Sequence, residues 1–267
     1  SEEGKLMALA SYGKFSKNIQ SKLNKFLKYN KLTGDFSLNP VLRFGGKRTT
    51  NSRFSERFIK IFGKPLFNNK KILSYHKNLA FNVQWRLEEV VKLLVRDLIK
   101  ISKVSSLCLA GGVHMNCKLN GVLANLPEVK EIYIQPAASD NGVALGAAML
   151  SAKNEKGDFP KMEHCYYGNN FSNNEILNSL NESKIKFKKF KNIEKIVAEK
   201  LSKGKIVGWF QGRSEVGARA LGNRSILANP LMRNMRKKLN DEVKHRENWR
   251  PFCPSINDYR YEDYFGN

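Results

Sequence analysis

The chain has 267 residues, of which 41% are hydrophobic, 27% charged and 10% aromatic, a length and composition suited to one large domain or two ordinary ones with a real core. No stretch approaches the roughly 18 uninterrupted apolar residues of a spanning helix, and the opening Ser1-Glu2-Glu3-Gly4-Lys5 is not a signal-peptide start. Cys108, Cys117, Cys165 and Cys253 form no Cys-x-x-Cys pair, so membrane, secretory, zinc-knuckle and disulfide-framework classes are set aside and a cytoplasmic protein with reduced thiols is expected.

Charge is the most pronounced feature. Lys and Arg number 47 against 24 Asp and Glu, a net charge of +23, which admits nucleic acid or phosphorylated molecules as partners without choosing between them. A genome-wide bias toward Lys and Asn would produce the same excess.

From Tyr12 to His76 the chain is rich in Lys and Asn, with isolated Phe15, Phe26, Tyr29, Phe36, Phe44, Phe54, Phe58 and Phe62, and short helices and loops are expected. Such interleaving suits either a stacking surface for single-stranded nucleic acid or scattered core anchors. Leu87, Val90, Val91, Leu94, Val95, Leu98 and Ile99 then recur at three- and four-residue steps, which predicts a helix with one buried face starting near Asn78. Ser106 to Ala110 and Glu131 to Ile134 read as strands feeding loops. Ser139-Asp140-Asn141-Gly142 reads as a turn that opens a tightly packed small-residue helix, Val143 to Met149. Polar residues with Gly157 and Pro160 mark a linker over 154–162. Beyond it the pattern predicts a helix over Asn173 to Leu180, a strand over Ile185 to Phe190, a helix over Ile193 to Leu201, a strand over Lys205 to Phe210 and a helix over Met232 to Lys244. Strand, loop and helix alternate, so the class is α/β.

Four places could carry chemistry. Gly111-Gly112-Val113 follows a strand and would let a ligand approach the backbone, although a double glycine is also an ordinary turn. Asp140-Asn141-Gly142 offers a carboxylate where α/β proteins bind ligands, and equally suits a plain turn. The densest segment runs from Gln211-Gly212-Arg213 through Glu215, Gly217 and Arg219 to Gly222-Asn223-Arg224. Guanidinium forks match phosphate oxygens and glycines free backbone N–H donors, so it reads as an anion loop. Lys244, Arg246 and Arg250 add cations beside Trp249 and Pro251, and the two segments could converge on one polyphosphate. His76, His114, His164 and His245 show no metal spacing; His114 and Cys117 read as locally satisfied side chains.

At these residues the chain resembles O-carbamoyltransferases of the NodU/TobZ type. Glu3-Gly4-Lys5-Leu6-Met7-Ala8-Leu9-Ala10-Ser11-Tyr12-Gly13 is similar to the family's Glu-Gly-Lys-Leu-Met-Gly-Leu-Ala-x-Tyr-Gly, and Ala110-Gly111-Gly112-Val113 with Asn116-Cys117 to its Ala-Gly-Gly-Val-x-x-Asn-Cys. The arginine loop is similar to its Gln-Gly-Arg-Met-Glu-Phe-Gly-Pro-Arg-Ala-Leu-Gly-Asn-Arg-Ser, and Lys244 to Pro254 to the segment that follows. The resemblance implies the later part of an actin-like ATPase (ribonuclease H-like) domain over 1–153, the linker, and the first part of a YrdC-like α/β domain over 163–267. It implies ATP-dependent transfer of carbamoyl from carbamoyl phosphate, through carbamoyl adenylate, to a hydroxyl of a small-molecule or saccharide acceptor. Arg219, Arg224 and Lys244 would hold phosphates, with Arg213, Arg246 and Arg250 in support; Gly111, Gly112, Asn116 and Gly142 would meet the adenylate. Asp140 would be one ligand of a divalent metal, with iron the candidate, and Mg2+ would accompany ATP.

The chain departs from the family in places. Ser214, Val216 and Ala218 replace Met, Phe and Pro, which loosens the loop that aims Arg219, and His114 stands where a small residue is common. The family's His-x-x-x-His pair upstream, and its His-x-Asp-Gly-Thr-Ala-Arg and Asn-Thr-Ser-Phe-Asn segments downstream, are missing, so a central portion, inactive by itself, is expected. Two other classes stay open: a basic nucleic-acid-binding module, and an inactive scaffold.

Overall fold

A computed structural model describes residues 3–38, 54–66, 71–158 and 162–265; Phe44, and positions 159–161 of the expected linker, lie outside them. The chain divides into two units, Ser1–Ser139 and Asp140–Asn267, and the structure is mixed α/β with small sheets. No helix among the described residues is long and apolar enough to cross a membrane.

The first unit opens with α1, Glu3–Ala10, and α2, Lys17–Leu23, whose first turn is capped by the Ser16 hydroxyl accepting from the Ile19 N–H. The stretch expected to hold short helices and loops also contains a hairpin, β1 Leu27–Asn30 with β2 Asp35–Leu38, antiparallel. Its signal is the turn chemistry: Gly34, at φ 72°, closes a turn back to the Asn30 carbonyl at 2.9 Å. α3, Glu56–Phe62, follows. Phe26 and Phe62 are buried, and Phe62, Phe58 and Phe54 continue the contact ring to ring. Phe26 and Phe62 are thus core anchors, while Phe15, Phe36 and Phe54 remain exposed.

α4, Ser74–Ser102, starts four residues before the expected point because the His76 Nδ1 accepts the Leu73 N–H at 3.0 Å. It ends at Lys103, in the left-handed region at φ 60°. A non-glycine residue there is strained, so Lys103→Gly is expected to raise stability by about 1 kcal/mol, read as a higher denaturation midpoint. β3, Ser106–Leu109, and β4, Glu131–Ile134, pair in parallel as expected, with α5, Cys117–Ala124, crossing between them. Val95, Leu109, Leu119, Leu123 and Leu126 form the core of this βαβ layer, with Leu87, Val91 and Ile99 of α4 packed against it. The hairpin is tied to α4 by Arg86, which donates through Nε and Nη2 to the Leu27 carbonyl at 3.0 and 2.6 Å, and by the Tyr29 hydroxyl, which donates to Asp97.

The second unit begins with a 3-10 turn, Asp140–Gly142, and α6, Val143–Lys156. The expected tight packing of α6 is not found. Val143 and Leu150 are exposed, and none of the described side chains of α6 is buried, so no described element covers its apolar residues. α7, Asn173–Glu182, and α8, Ile193–Ser202, form where the periodicity put them, α7 with a Ser172/Glu175 capping box. The strand expected over Ile185 to Phe190 is absent. Its residues are exposed and pair with neither neighbour, and alternation alone does not make a strand without a hydrogen-bonded partner. β5, Val207–Phe210, instead pairs antiparallel with β6, Arg224–Leu227. The last expected helix starts three residues late, because Asn234 sits at φ 65°: α9, Met235–Lys238, runs into a π-helical turn, Leu239–Val243. A short α10, Tyr261–Phe265, follows.

Candidate functional site

The arginine-rich segment is the loop 211–223 of the β5–β6 hairpin. Its base extends the ladder by one bond, Gln211 N–H to the Asn223 carbonyl at 3.0 Å, and the Asn223 amide reaches back to the Arg213 carbonyl at 2.7 Å. Inside the loop lies Glu215, buried at 5% exposure. Its Oε1 accepts the N–H groups of Leu221, Asn223 and Arg224 at 2.7, 2.8 and 3.2 Å, and its Oε2 accepts from Arg224 Nε at 2.8 Å. Burial pushes the carboxyl up, but the Arg224 guanidinium and these N–H donors outweigh it and hold the group down at about 2. Glu215 is therefore an ionised hub around which the loop folds. It was not singled out in the sequence, although a lone carboxylate among three arginines was the available signal.

This hub sorts the cations. Arg224 spends Nε on the Glu215 carboxylate and Nη2 on its carbonyl at 3.2 Å. Arg213 and Arg219 are exposed and make no side-chain hydrogen bond or ion pair among the described residues. Arg219 sits on an arc between Gly217 and Gly222, at φ 105° and 112°, conformations that non-glycine residues rarely adopt.

The second basic segment has its own scaffold. Asn240, fully buried, accepts from Arg246 Nε at 2.7 Å through Oδ1 and donates to the Arg250 and Asn248 carbonyls at 3.0 and 3.4 Å. Arg246 also donates to the Pro251 carbonyl at 3.3 Å and lies 4.7 Å over the Phe252 ring; burial and neighbouring Arg250 lower its pKa. Arg250 lies 4.0 Å from Glu247. Lys244, exposed at the end of the π-helical turn, has no side-chain partner among the described residues. Arg246 and Arg250 thus brace the segment, while Lys244 stays available.

In the first unit, Gly111 stands at φ 95° and donates to the Ala138 carbonyl at 2.6 Å. A Cβ on Gly111 or Gly112 would meet nothing within 4 Å, so the loop has room beside it. Asn116 is committed to structure: Oδ1 caps α5 at the Leu119 N–H at 3.0 Å, and Nδ2 donates to Gln84 at 2.8 Å. Gln84 in turn donates to Glu88 at 2.8 Å, and Lys118 lies 3.6 Å from Glu88. This buried polar chain on α4 was not foreseen. His114 is satisfied by Asn120, as expected of a lone histidine, and the Cys117 thiol contacts Met7.

Asp140 is exposed and Gly142 leads into α6. Among the described residues no three His, Cys, Asp or Glu side chains group to hold a metal. Asp140 supplies one carboxylate where a divalent cation takes several ligands, so the described residues alone do not complete the set in which Asp140 is expected to be one ligand.

Known proteins give this geometry a context. The sequence model described as Carbamoyltransferase N-terminus matches residues 1–149, and that described as Carbamoyltransferase C-terminus matches 198–267. The chain is 35% identical over 276 residues to an uncharacterised protein of Synechocystis sp., covering 99% of this chain and 44% of that protein. It is 37% identical over 196 residues to nodulation protein NolNO of Sinorhizobium fredii, covering 71% and 29%. It is 33% identical over 150 residues to a 3'-hydroxymethylcephem-O-carbamoyltransferase of Amycolatopsis lactamdurans, covering 56% and 28%. The chain spans less than half the length of these relatives.

Proposed function

The chain belongs to the carbamoyltransferase family, and from that premise we propose that it serves ATP-dependent O-carbamoyl transfer, its first unit as part of an actin-like domain and its second as part of a YrdC-like one. Carbamoyl phosphate is hydrolysed to carbamate and inorganic phosphate, and a carbamate oxygen attacks the ATP α-phosphorus to form carbamoyl adenylate as the bond to pyrophosphate breaks; AMP leaves in the transfer that follows. The carbamoyl group then passes to a hydroxyl of a small-molecule or saccharide acceptor, as the name of the cephem-modifying relatives suggests.

The observation that carries this reading is the Glu215-centred loop, on which Arg213 and Arg219 are exposed and have no acceptor among the described residues. Guanidinium groups stay charged and bind two oxygens at once, so preorganised arginines stabilise the charge of a mixed anhydride and of departing pyrophosphate. Arg219, Arg213 and Lys244 are assigned to the phosphates. Arg224 contributes what its Glu215 contacts leave over, and Arg246 and Arg250 hold Lys244's segment in shape. Gly111 and Gly112 leave space for the adenylate, and Mg2+ travels with ATP on the nucleotide's own phosphates.

Calorimetric titration of carbamoyl phosphate into the wild type and Arg219→Ala tests this. Saturable binding weakened about 10- to 100-fold by the substitution is expected, the loss of charge-assisted hydrogen bonds. Equal binding by both proteins removes Arg219 from the site. Steeply salt-dependent DNA binding, indifferent to carbamoyl phosphate, points instead to a nucleic-acid module.

A further inference from the structure

We propose that residues 163–168 form a strap that holds the arginine loop in the shape that presents Arg219, with Tyr166 and Gly168 as its positioning residues; the ligand side of this rests on the carbamoyl phosphate reading above. The strap lies outside both matched ranges of the chain.

Three hydrogen bonds join the segments. The Val216 N–H donates to the Cys165 carbonyl at 2.6 Å, the Gly168 N–H donates to the Ser214 carbonyl at 2.9 Å, and the Tyr166 hydroxyl donates to the Leu221 carbonyl at 2.8 Å. The approach at Gly168 is close enough that a Cβ there would lie 2.7 Å from the Ser214 Cβ and 2.8 Å from its carbonyl oxygen. The strap has its own internal order: the His164 Nδ1 accepts the Tyr166 N–H at 3.3 Å, and the His164 ring lies 4.4 Å from that of Tyr167.

The contact points flank Arg219. Ser214 and Val216 lie before it and Leu221 after it, and Leu221 is held on both sides of its residue, its N–H by Glu215 and its carbonyl by Tyr166. Glu215 ties the loop from within and the strap ties it from outside. The two together limit the arc on which Arg219 sits.

The test uses the full-length protein, with Tyr166→Phe and Gly168→Ala. Tyr166→Phe keeps the ring and removes one exposed hydrogen bond, so the thermal midpoint should hardly move. Amide hydrogen exchange at Val216 and Leu221 should quicken, and carbamoyl phosphate affinity should fall about five- to tenfold. Gly168→Ala, which displaces Ser214, should show both effects more strongly. Unchanged exchange in both variants overturns the strap; faster exchange with unchanged affinity overturns its positioning role. If the wild type binds no carbamoyl phosphate, the functional reading falls while exchange still judges the strap.

Discussion

Glu215→Ala is expected to lose carbamoyl phosphate binding altogether and to destabilise the protein by about 3 kcal/mol, seen as a lower denaturation midpoint. The substitution strips the acceptor from three backbone N–H groups, those of Leu221, Asn223 and Arg224, and frees the Arg224 guanidinium. Two of those donors lie just after the Arg219 arc, so the loop loses the contact that closes it. Glu215→Gln separates shape from charge. Its amide keeps one oxygen for the backbone donors but turns an NH2 group toward Arg224 Nε, donor against donor. It should therefore retain more stability than the alanine variant and still bind anions poorly. An alanine variant that binds like the wild type would show that the loop's shape does not depend on Glu215.

The same hub sets a pH dependence whose sign is fixed. The Glu215 carboxyl titrates at about 2 in the folded protein, below its ordinary 4.5. Its contribution is thus complete above the ordinary carboxylate range and is lost as pH falls from there toward 2. Thermal midpoints should drop across that interval in the wild type more steeply than in Glu215→Gln, which has no proton to take up there.

What could be read from the sequence depended on how far away each residue's partner lies. β3 and β4 carry a simple apolar pattern completed by neighbouring residues, and α7 and α8 carry helical periodicity with local caps, so all four were legible. The arginine loop was legible as a dense cluster of cations and glycines because those residues lie in one short run. Its division of labour was not, since whether Arg213, Arg224 or Arg246 is available depends on Glu215, Asn240 and Pro251 as placed by the fold. The failures share a cause. Among the described residues Ile185 to Phe190 has the alternation of a strand but no partner strand, and α6 has the composition of a packed helix but no buried residue. Periodicity states which face of an element is apolar, and not whether another element covers it.

Gly13 shows a different kind of information, and its substitution should have the largest effect in the first unit. A Cβ there would lie 2.1 Å from the Lys77 carbonyl oxygen and 2.7 Å from the Phe81 Cβ. The first obstacle is helix backbone in the first turn of α4, which cannot yield as a flexible side chain would. The segment carrying Gly13 must move instead, and it is tied to α4 by the side-chain amides of Asn78 and Asn82. The Lys14 N–H donates to Asn78 at 2.9 Å and the Ser16 N–H to Asn82 at 3.0 Å. Asn82 returns bonds to the Lys14 and Asn78 carbonyls at 2.9 and 2.7 Å. Asn82 is fully buried, so a displaced segment leaves it with polar atoms that water cannot reach. Overpacking together with one or two orphaned groups predicts that Gly13→Ala costs about 4 kcal/mol, measured by the urea midpoint. Gly121→Ala is the matched comparison: its Cβ meets nothing within 4 Å, and it lies inside α5, where alanine should add about 0.5–1 kcal/mol. Equal midpoints for the two variants would show that the α1–α2 connection does not depend on its contact with α4. The predicted gap of roughly 5 kcal/mol between two identical chemical changes would assign the glycine of the Tyr-Gly motif to packing against a helix backbone.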